Sequence, residues 1–311
     1  MTLRLNRVAS TVVVLAIAAC TQNEPAATKQ QVLWHKLEQQ IQQTTQALDG
    51  VAGVALKDLT SGNEILVLPD EVFPTASSIK VAVLAELYRQ AQQGKIKLTD
   101  LYVVDRKDIV PDSDVLAGLT PGVTRLTLRD LATIMVAVSD NSATNVLIDR
   151  LGMENVNSLL DSLGLKHTRL RRKMMDLAAA KEGRENVATP REMMLLLEAL
   201  YQGKALNKEL TADFFDVLST HKESWIPVDL PPEVRIANKP GSLEGVRNDA
   251  GVIFVTNRPY ILCVMSSYLR DERDGEAAIS KISLDVFRTM DRLARASEYG
   301  RVVSPSNGAT R

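Results

Sequence analysis

Apolar residues recur at helical spacing from Gln31 to Leu48, through Val32, Leu33, Leu37, Ile41 and Leu48, which predicts one amphipathic helix. The pattern then shortens to two strands, Val51–Leu56 and Glu64–Leu68, joined by the turn residues Ser61-Gly62-Asn63, as expected of a hairpin. A long middle block, about Thr75 to Gly203, returns to the helical period. Its segments are Ile79–Gln92, Leu128–Val138, Ala143–Leu151, Met153–Leu163 and Arg191–Leu200. Strands are predicted again at Val234–Ala237, Ala250–Thr256 and Tyr260–Ser266, followed by a helix from Glu276 to about Ser297. The order describes a two-lobed α+β protein. A mainly antiparallel sheet is flanked by the first and last helices, and an all-helical lobe is inserted into it. The expected domain covers residues 31–298, with an α/β lobe from about 31–73 and 216–298, a helical lobe over about 74–215, and a flexible tail at 299–311. No repeat of solenoid period is present.

Composition narrows the function classes. The chain has 311 residues, 45% hydrophobic and 24% charged, enough for a large core. Its 37 basic and 38 acidic side chains give a net charge of -1, so no long-range field favours nucleic acid. Three histidines, His35, His167 and His221, lie far apart without metal-ligand spacing, so a zinc site is not expected. Residues 1–19 combine Arg4 and Arg7 with an apolar run from Thr11 to Ala19, too short to span a bilayer, and read as a secretory signal. The run ends in Ile17-Ala18-Ala19-Cys20. This tetrapeptide resembles the bacterial lipobox, which implies lipidation of Cys20; the alternative is an ordinary small-residue cleavage site. Acylation would tether the chain to a membrane through the polar residues 20–30, placing it at the periplasmic face of the cell envelope.

Three junctions carry residues with chemical potential. In Phe73-Pro74-Thr75-Ala76-Ser77-Ser78-Ile79-Lys80, Pro74 breaks the extended segment and Ser77 falls in a first helical turn. There the helix dipole favours a developing alkoxide, and Lys80, three residues on, shares its face and can act as a base if its proton is lost. Ser219-Thr220-His221-Lys222 has the same spacing and reads as a chance match on a surface segment. At the second junction, Ser139-Asp140-Asn141, an inter-helical corner can aim short polar side chains into a cleft; equally, these are good N-cap residues. The third, Lys239-Pro240-Gly241-Ser242, followed by Arg247, Asn248 and Asp249, is either a site or a strand edge with a turn.

Taken in order, these junctions resemble the S-x-x-K, S-D-N and K-T-G elements of class A β-lactamases and penicillin-binding proteins, and the resemblance spans about Gln31 to Ser297. It implies that Ser77 is the nucleophile and Lys80 its base. Ser139 relays the proton to the leaving nitrogen, and Asn141 orients the substrate amide and Lys80. Lys239, Gly241, Ser242 and Arg247 hold the substrate, with backbone N–H groups of Ser77 and Ser242 forming the oxyanion hole. The implied partner is a β-lactam or a cell-wall peptide, met by a monomer without cofactor, in a setting of antibiotic resistance.

Two departures qualify what the resemblance implies. Efficient family hydrolases carry a glutamate, and an asparagine four residues later, on an omega-shaped loop. Laying Thr168-Arg169-Leu170 and Thr189-Pro190 on the pattern puts Met174 or Lys173 in the glutamate's place and no asparagine in its partner's. Asp176 is then the candidate carboxylate for activating water, Glu182 and Glu185 reading as solvated. Asn186 stands where an acid usually pairs with a loop arginine, which would leave Arg171 or Arg172 without its ionic partner. The second departure is Pro240, where the family has a hydroxyl for the substrate carboxylate; Ser242 is its candidate replacement. Three functions remain open: a serine β-lactamase, a D,D-peptidase or esterase-like acyl transferase, and a penicillin-binding sensor that stays acylated. A Ser-His-Asp triad is disfavoured, since no histidine stands near a nucleophile turn.

Overall fold

The computed structural model describes residues 28–301 apart from Glu298, so the signal segment, Cys20, most of the tether and the end of the tail lie outside the described residues. Helix α1 (Lys29–Gln46) opens on a capping box between Thr28 and Gln31, which satisfies two of its orphan donors. The hairpin β1 (Val51–Asp58) and β2 (Glu64–Val67) follows, and then the short β3 (Phe73–Pro74). A 3-10 turn, Ala76–Ile79, runs directly into α2 (Lys80–Gln92). The ribbon β4 (Leu101–Val103) and β5 (Arg125–Thr127) encloses α3 (Asp114–Gly118). Four helices follow: α4 (Leu128–Ala137), α5 (Asn141–Leu151), α6 (Met153–Ser162) and α7 (Leu177–Lys181). Strand β6 (Val187–Ala188) returns to pair with β3, and α8 (Pro190–Tyr201) and α9 (Lys208–Leu218) complete the helical lobe. The chain closes with β7 (Ile236–Leu243), β8 (Val246–Ile253), β9 (Tyr260–Ser267) and α10 (Glu272–Arg295).

The main sheet is antiparallel throughout in the order β2-β1-β9-β8-β7, which makes β7 an edge strand. Both of its faces are covered, so its inner strands read as nearly continuous apolar runs rather than as an alternation. On one face Val54, Leu56, Leu262 and Val264 meet Leu37 and Ile41 of α1 and Ile279, Ile282, Val286 and Met290 of α10. Each such fully buried side chain contributes roughly 1.5–3 kcal/mol. On the other face Ala55, Ile261, Cys263 and Met265 join the core of the helical lobe. Its centre is α2, in which every residue from Lys80 to Tyr88 is buried.

Several boundaries differ from the periodicity, three of them for an evident local reason. Helix α10 starts at Glu272 because Asp271 caps it, four residues before the apolar period becomes visible. Helix α5 begins at Asn141, on the Asp140 cap. Strand β7 runs through Lys239-Pro240-Gly241-Ser242 to Leu243, so the third junction lies inside a strand; Pro240 is tolerated there because an edge strand does not need its N–H. The inserted lobe also carries the two short ribbons in addition to its helices.

Asn248 of β8 fastens the sheet to the start of the helical lobe. Fully buried, it donates through Nδ2 to Pro74 O at 2.8 Å and accepts from Ser266 N at 3.0 Å. Asn248→Ala removes both hydrogen bonds from a fully buried side chain, at a cost of roughly 2–4 kcal/mol. The expected result in a thermal melt is a fall of roughly 4–12 °C, and a shift below about 1 °C would refute this anchoring role.

Candidate active site

Ser77 is the second residue of the 3-10 turn, and the turn is pinned from two sides. Thr75 donates through its N–H and its hydroxyl to Asn186 O at 2.9 and 3.1 Å, and Ser78 Oγ donates to Thr75 O at 2.7 Å. Ala76 adopts φ 48°, a left-handed conformation rare for a residue with a Cβ, which lifts the following serine toward the cleft. The open edge of β7 approaches so closely that a Cβ on Gly241 would stand 2.6 Å from Thr75 O and 3.0 Å from Ser77 N. Only glycine fits there, and the contact brings the edge strand and the N–H of Ser77 to one spot.

Lys80 begins α2 and is fully buried. Its ammonium has three donors, and all three have neutral acceptors: Ser139 O at 2.5 Å, Ser139 Oγ at 3.0 Å and Asn141 Oδ1 at 3.0 Å. Burial without an ion-paired carboxylate, and secondly the charge of Lys239, holds its pKa well below that of a free lysine. The sequence places Lys80 within reach of Ser77; in the structure the connection runs through Ser139, whose hydroxyl donates to Ser77 Oγ at 2.9 Å. Among the described residues no direct Lys80–Ser77 hydrogen bond occurs. Lys239, also buried, donates to the same Ser139 Oγ at 3.1 Å and to Pro240 O at 3.2 Å. Burial, and then the charge of Lys222, pushes its pKa down to about 7.

The S-D-N corner thus combines both readings of it. Ser139, held at φ 57°, and Asn141 face the cleft, while Asp140 is the helix cap, accepting from Ala143 N at 2.8 Å and from Leu116 N at 3.0 Å. These groups meet in a cleft of about 1110 Å³ whose walls include Ser77, Ser139, Asn141, Lys239 and Ser242.

Two other expected site residues are placed differently. Asp176 is exposed, accepts from Ala179 N at 3.0 Å as the cap of α7, and is not among the cleft-lining residues. Arg247 is committed elsewhere. Its guanidinium pairs with Glu276 at 2.8 Å, donates to Leu243 O and Val246 O, and lies over the Trp225 ring at 5.7 Å.

The loop from Leu170 to Pro190 is held by neutral groups where the resemblance led us to expect an unpaired arginine. Asn186 accepts from Arg171 N and Arg172 N at 2.7 and 3.0 Å and donates to Arg172 O at 3.1 Å. Arg172 does have an ionic partner, because Glu185 is not free in solvent but lies 2.8 Å from it. Asn145 grips Met174 by both its N–H and its carbonyl, at 2.8 and 3.0 Å, so that the methionine lines the cleft. Lys173 instead turns to Asp149. Of the two residues, Met174 lines the cleft and Lys173 does not, and Ala178, four residues after Met174, is exposed.

Several cleft residues escaped the sequence reading, among them Asp112, Lys222 and Trp225. Asp112 arrives with the segment before α3, in a left-handed conformation, and Lys222 and Trp225 come from the loop after α9. Lys222 belongs to the S-x-x-K match read as a chance surface pattern. Ser219 in that match is indeed structural, bonded to Phe215 O and Arg235, but Lys222 is half-buried in the cleft wall. No periodic signal marks such loop residues.

Residues 36–290 match the profile of the beta-lactamase enzyme family. Among curated proteins the chain is 28% identical to beta-lactamase SME-1 of Serratia marcescens over 81% of this chain and 88% of that one. Among solved structures, a beta-lactamase from Sphaerobacter thermophilus superposes with a TM-score of 0.76 at 31% identity, covering 83% of this chain and 97% of that one. PBP-A does so with a TM-score of 0.74 at 28% identity, covering 81% and 95%. A PBP-A variant has been solved as an acyl-enzyme complex with penicillin G.

Asn186→Ala removes three hydrogen bonds from a buried strap, which is expected to cost roughly 2–4 kcal/mol and to loosen the loop locally. Limited trypsinolysis is expected to cut after Arg171, Arg172 or Lys173 sooner than in the parent; an unaltered cleavage order would show that Asn186 does not hold the loop.

Proposed function

The chain belongs to the beta-lactamase enzyme family, and from that premise we propose that it opens β-lactam rings by acylation of Ser77 and releases the product slowly. The observation that carries this reading is the unbroken chain Ser77–Ser139–Lys80–Asn141, with Lys239 on the same hydroxyl. A neutral Lys80 accepts the proton of Ser77 through Ser139 as the serine oxygen attacks the lactam carbonyl carbon. The developing oxyanion is met by the N–H groups at Ser77 and Ser242. When the carbon–nitrogen bond breaks, the proton returns through Ser139 to the leaving nitrogen, and Ser77 carries an ester. Lys80 suits the task because its three acceptors are neutral, so its burial is not offset by an ion pair.

Deacylation needs a base beside the ester, and here the support is for slowness. Met174 occupies the wall where a loop carboxylate would serve, and Asp176 is turned to its helix cap. A thioether accepts no proton from water.

Intact-mass time courses with benzylpenicillin test both halves. The parent is expected to gain the mass of one penicillin, with an adduct that outlasts acylation by far, and Ser77→Ala to gain none. Met174→Glu, held by the same Asn145 grip, is expected to shorten the adduct's lifetime by about tenfold or more, at the low end of general-base effects. Multiple rapid turnovers by the parent would overturn the slow release, and no adduct at all would overturn the acylation.

The pH dependence has a definite sign. Protonated Lys80 cannot accept a proton, so acylation slows as pH falls through its depressed pKa. A rate constant that does not fall as pH is lowered across the range in which the protein stays folded would assign the base to another group.

A further inference from the structure

We infer that Lys222 is a specificity residue of this site, forming with Lys239 and Ser242 a two-lysine pocket for the substrate's carboxylate. The inference rests on the acylation chemistry proposed for Ser77 and names what the leaving-group side of the substrate meets.

Lys222 follows α9, and its side chain lines the same cleft as Lys239, Pro240 and Ser242 of the β7 edge. Its ammonium makes one hydrogen bond, to Leu218 O at 2.9 Å. Two of its three donors are left over, and no ion pair of Lys222 occurs among the described residues. The buried carboxylate that acts on it, Asp249, is already engaged. One oxygen accepts from Trp225 N and Ile226 N at 3.0 Å each, and the other from Asn238 Nδ2 at 2.8 Å.

Lys239 is in the same condition, bonded only to a hydroxyl and a carbonyl. Burial pushes Lys222 down to about 8 and Lys239 to about 7, and the charge on Lys222 adds to the second shift. Two ammonium groups sharing one wall are costly when empty, because the one carboxylate that acts on both, Asp249, is already spent on three N–H donors. A carboxylate entering there relieves the desolvation of each and the repulsion between them.

The family's hydroxyl and the arginines that could hold a carboxylate are missing or committed. Pro240 offers no hydroxyl. Arg247 is bound to Glu276 and two carbonyls, and Arg172 to Glu185. Ser242, exposed on the edge strand, remains as the polar neighbour of the two lysines. The S-x-x-K spacing at Ser219 is thus irrelevant to nucleophilic catalysis, yet its lysine reaches the site.

The test compares benzylpenicillin with its methyl ester, which keeps the lactam and loses the charge. Second-order acylation constants are read by intact mass for the parent, Lys222→Met and Lys222→Arg. Each ratio is internal to one protein sample, so a partly unfolded variant does not distort it. The parent is expected to favour the free acid. Lys222→Met should lower that preference by about 10-fold or more, the size of one charge-assisted hydrogen bond, and Lys222→Arg should retain most of it. A parent without preference, an unchanged ratio in Lys222→Met, or equal losses on both compounds would overturn the role. Failure of the parent to form any adduct would instead refute the chemistry at Ser77, so the two failures are distinguishable.

Discussion

The architecture of the site depends on a lysine amine kept in the dry interior without a carboxylate. Lys80 is fully buried on the central helix, and its three donors end on Ser139 and Asn141. A carboxylate partner would stabilise the charged form and remove the base; open water would do the same. Neutral oxygens satisfy the donors yet leave the proton loosely held. This demands an accurate corner between α4 and α5, since a buried donor left unpaired costs about 1–3 kcal/mol.

That accuracy is achieved by neighbours that do no chemistry. Asp140 caps α5 and ties Leu116, and Ser142 and Ser113 share a hydrogen bond beneath it. Ser139 is thereby held in a left-handed conformation that its own side chain does not favour. The nucleophile's turn is treated similarly, with Ala76 left-handed and Thr75 and Pro74 bound to Asn186 and Asn248. Strain sits on Ser139 itself and on Ala76 beside Ser77, and hydrogen bonds from the surrounding structure maintain it.

The two sides of the cleft differ in consequence. The groups to which the proposal assigns attack converge on the single hydroxyl of Ser139, within about 3 Å of Ser77, Lys80 and Lys239. The loop opposite presents the thioether of Met174 and is itself well ordered by Asn145, Asn186 and the Arg172–Glu185 pair. Slow release in this proposal therefore follows from the chemistry of one side chain and not from a loose loop. Pairing of Arg247 with Glu276 likewise shifts anion recognition toward the lysines.

The sequence by itself determined the element order, the two-lobed α+β class and the residues of the three motifs, because helical and strand periods and capping residues are local signals. It also located the weak point in Leu170–Pro190. It did not reveal that β7 continues through Lys239-Pro240-Gly241-Ser242, because strand pairing with β8 overrides the proline there. Nor did it show that Asp176 is spent on a helix cap, that Glu185 supplies the partner of Arg172, or that Arg247 is held by Glu276. Only the tertiary structure decided these, since a carboxylate's role depends on which backbone N–H or cation folds against it. Lys222 is the plainest case: its segment reads as surface in the sequence, and only the packing of the loop after α9 against the β7 edge brings it into the cleft wall with Lys239.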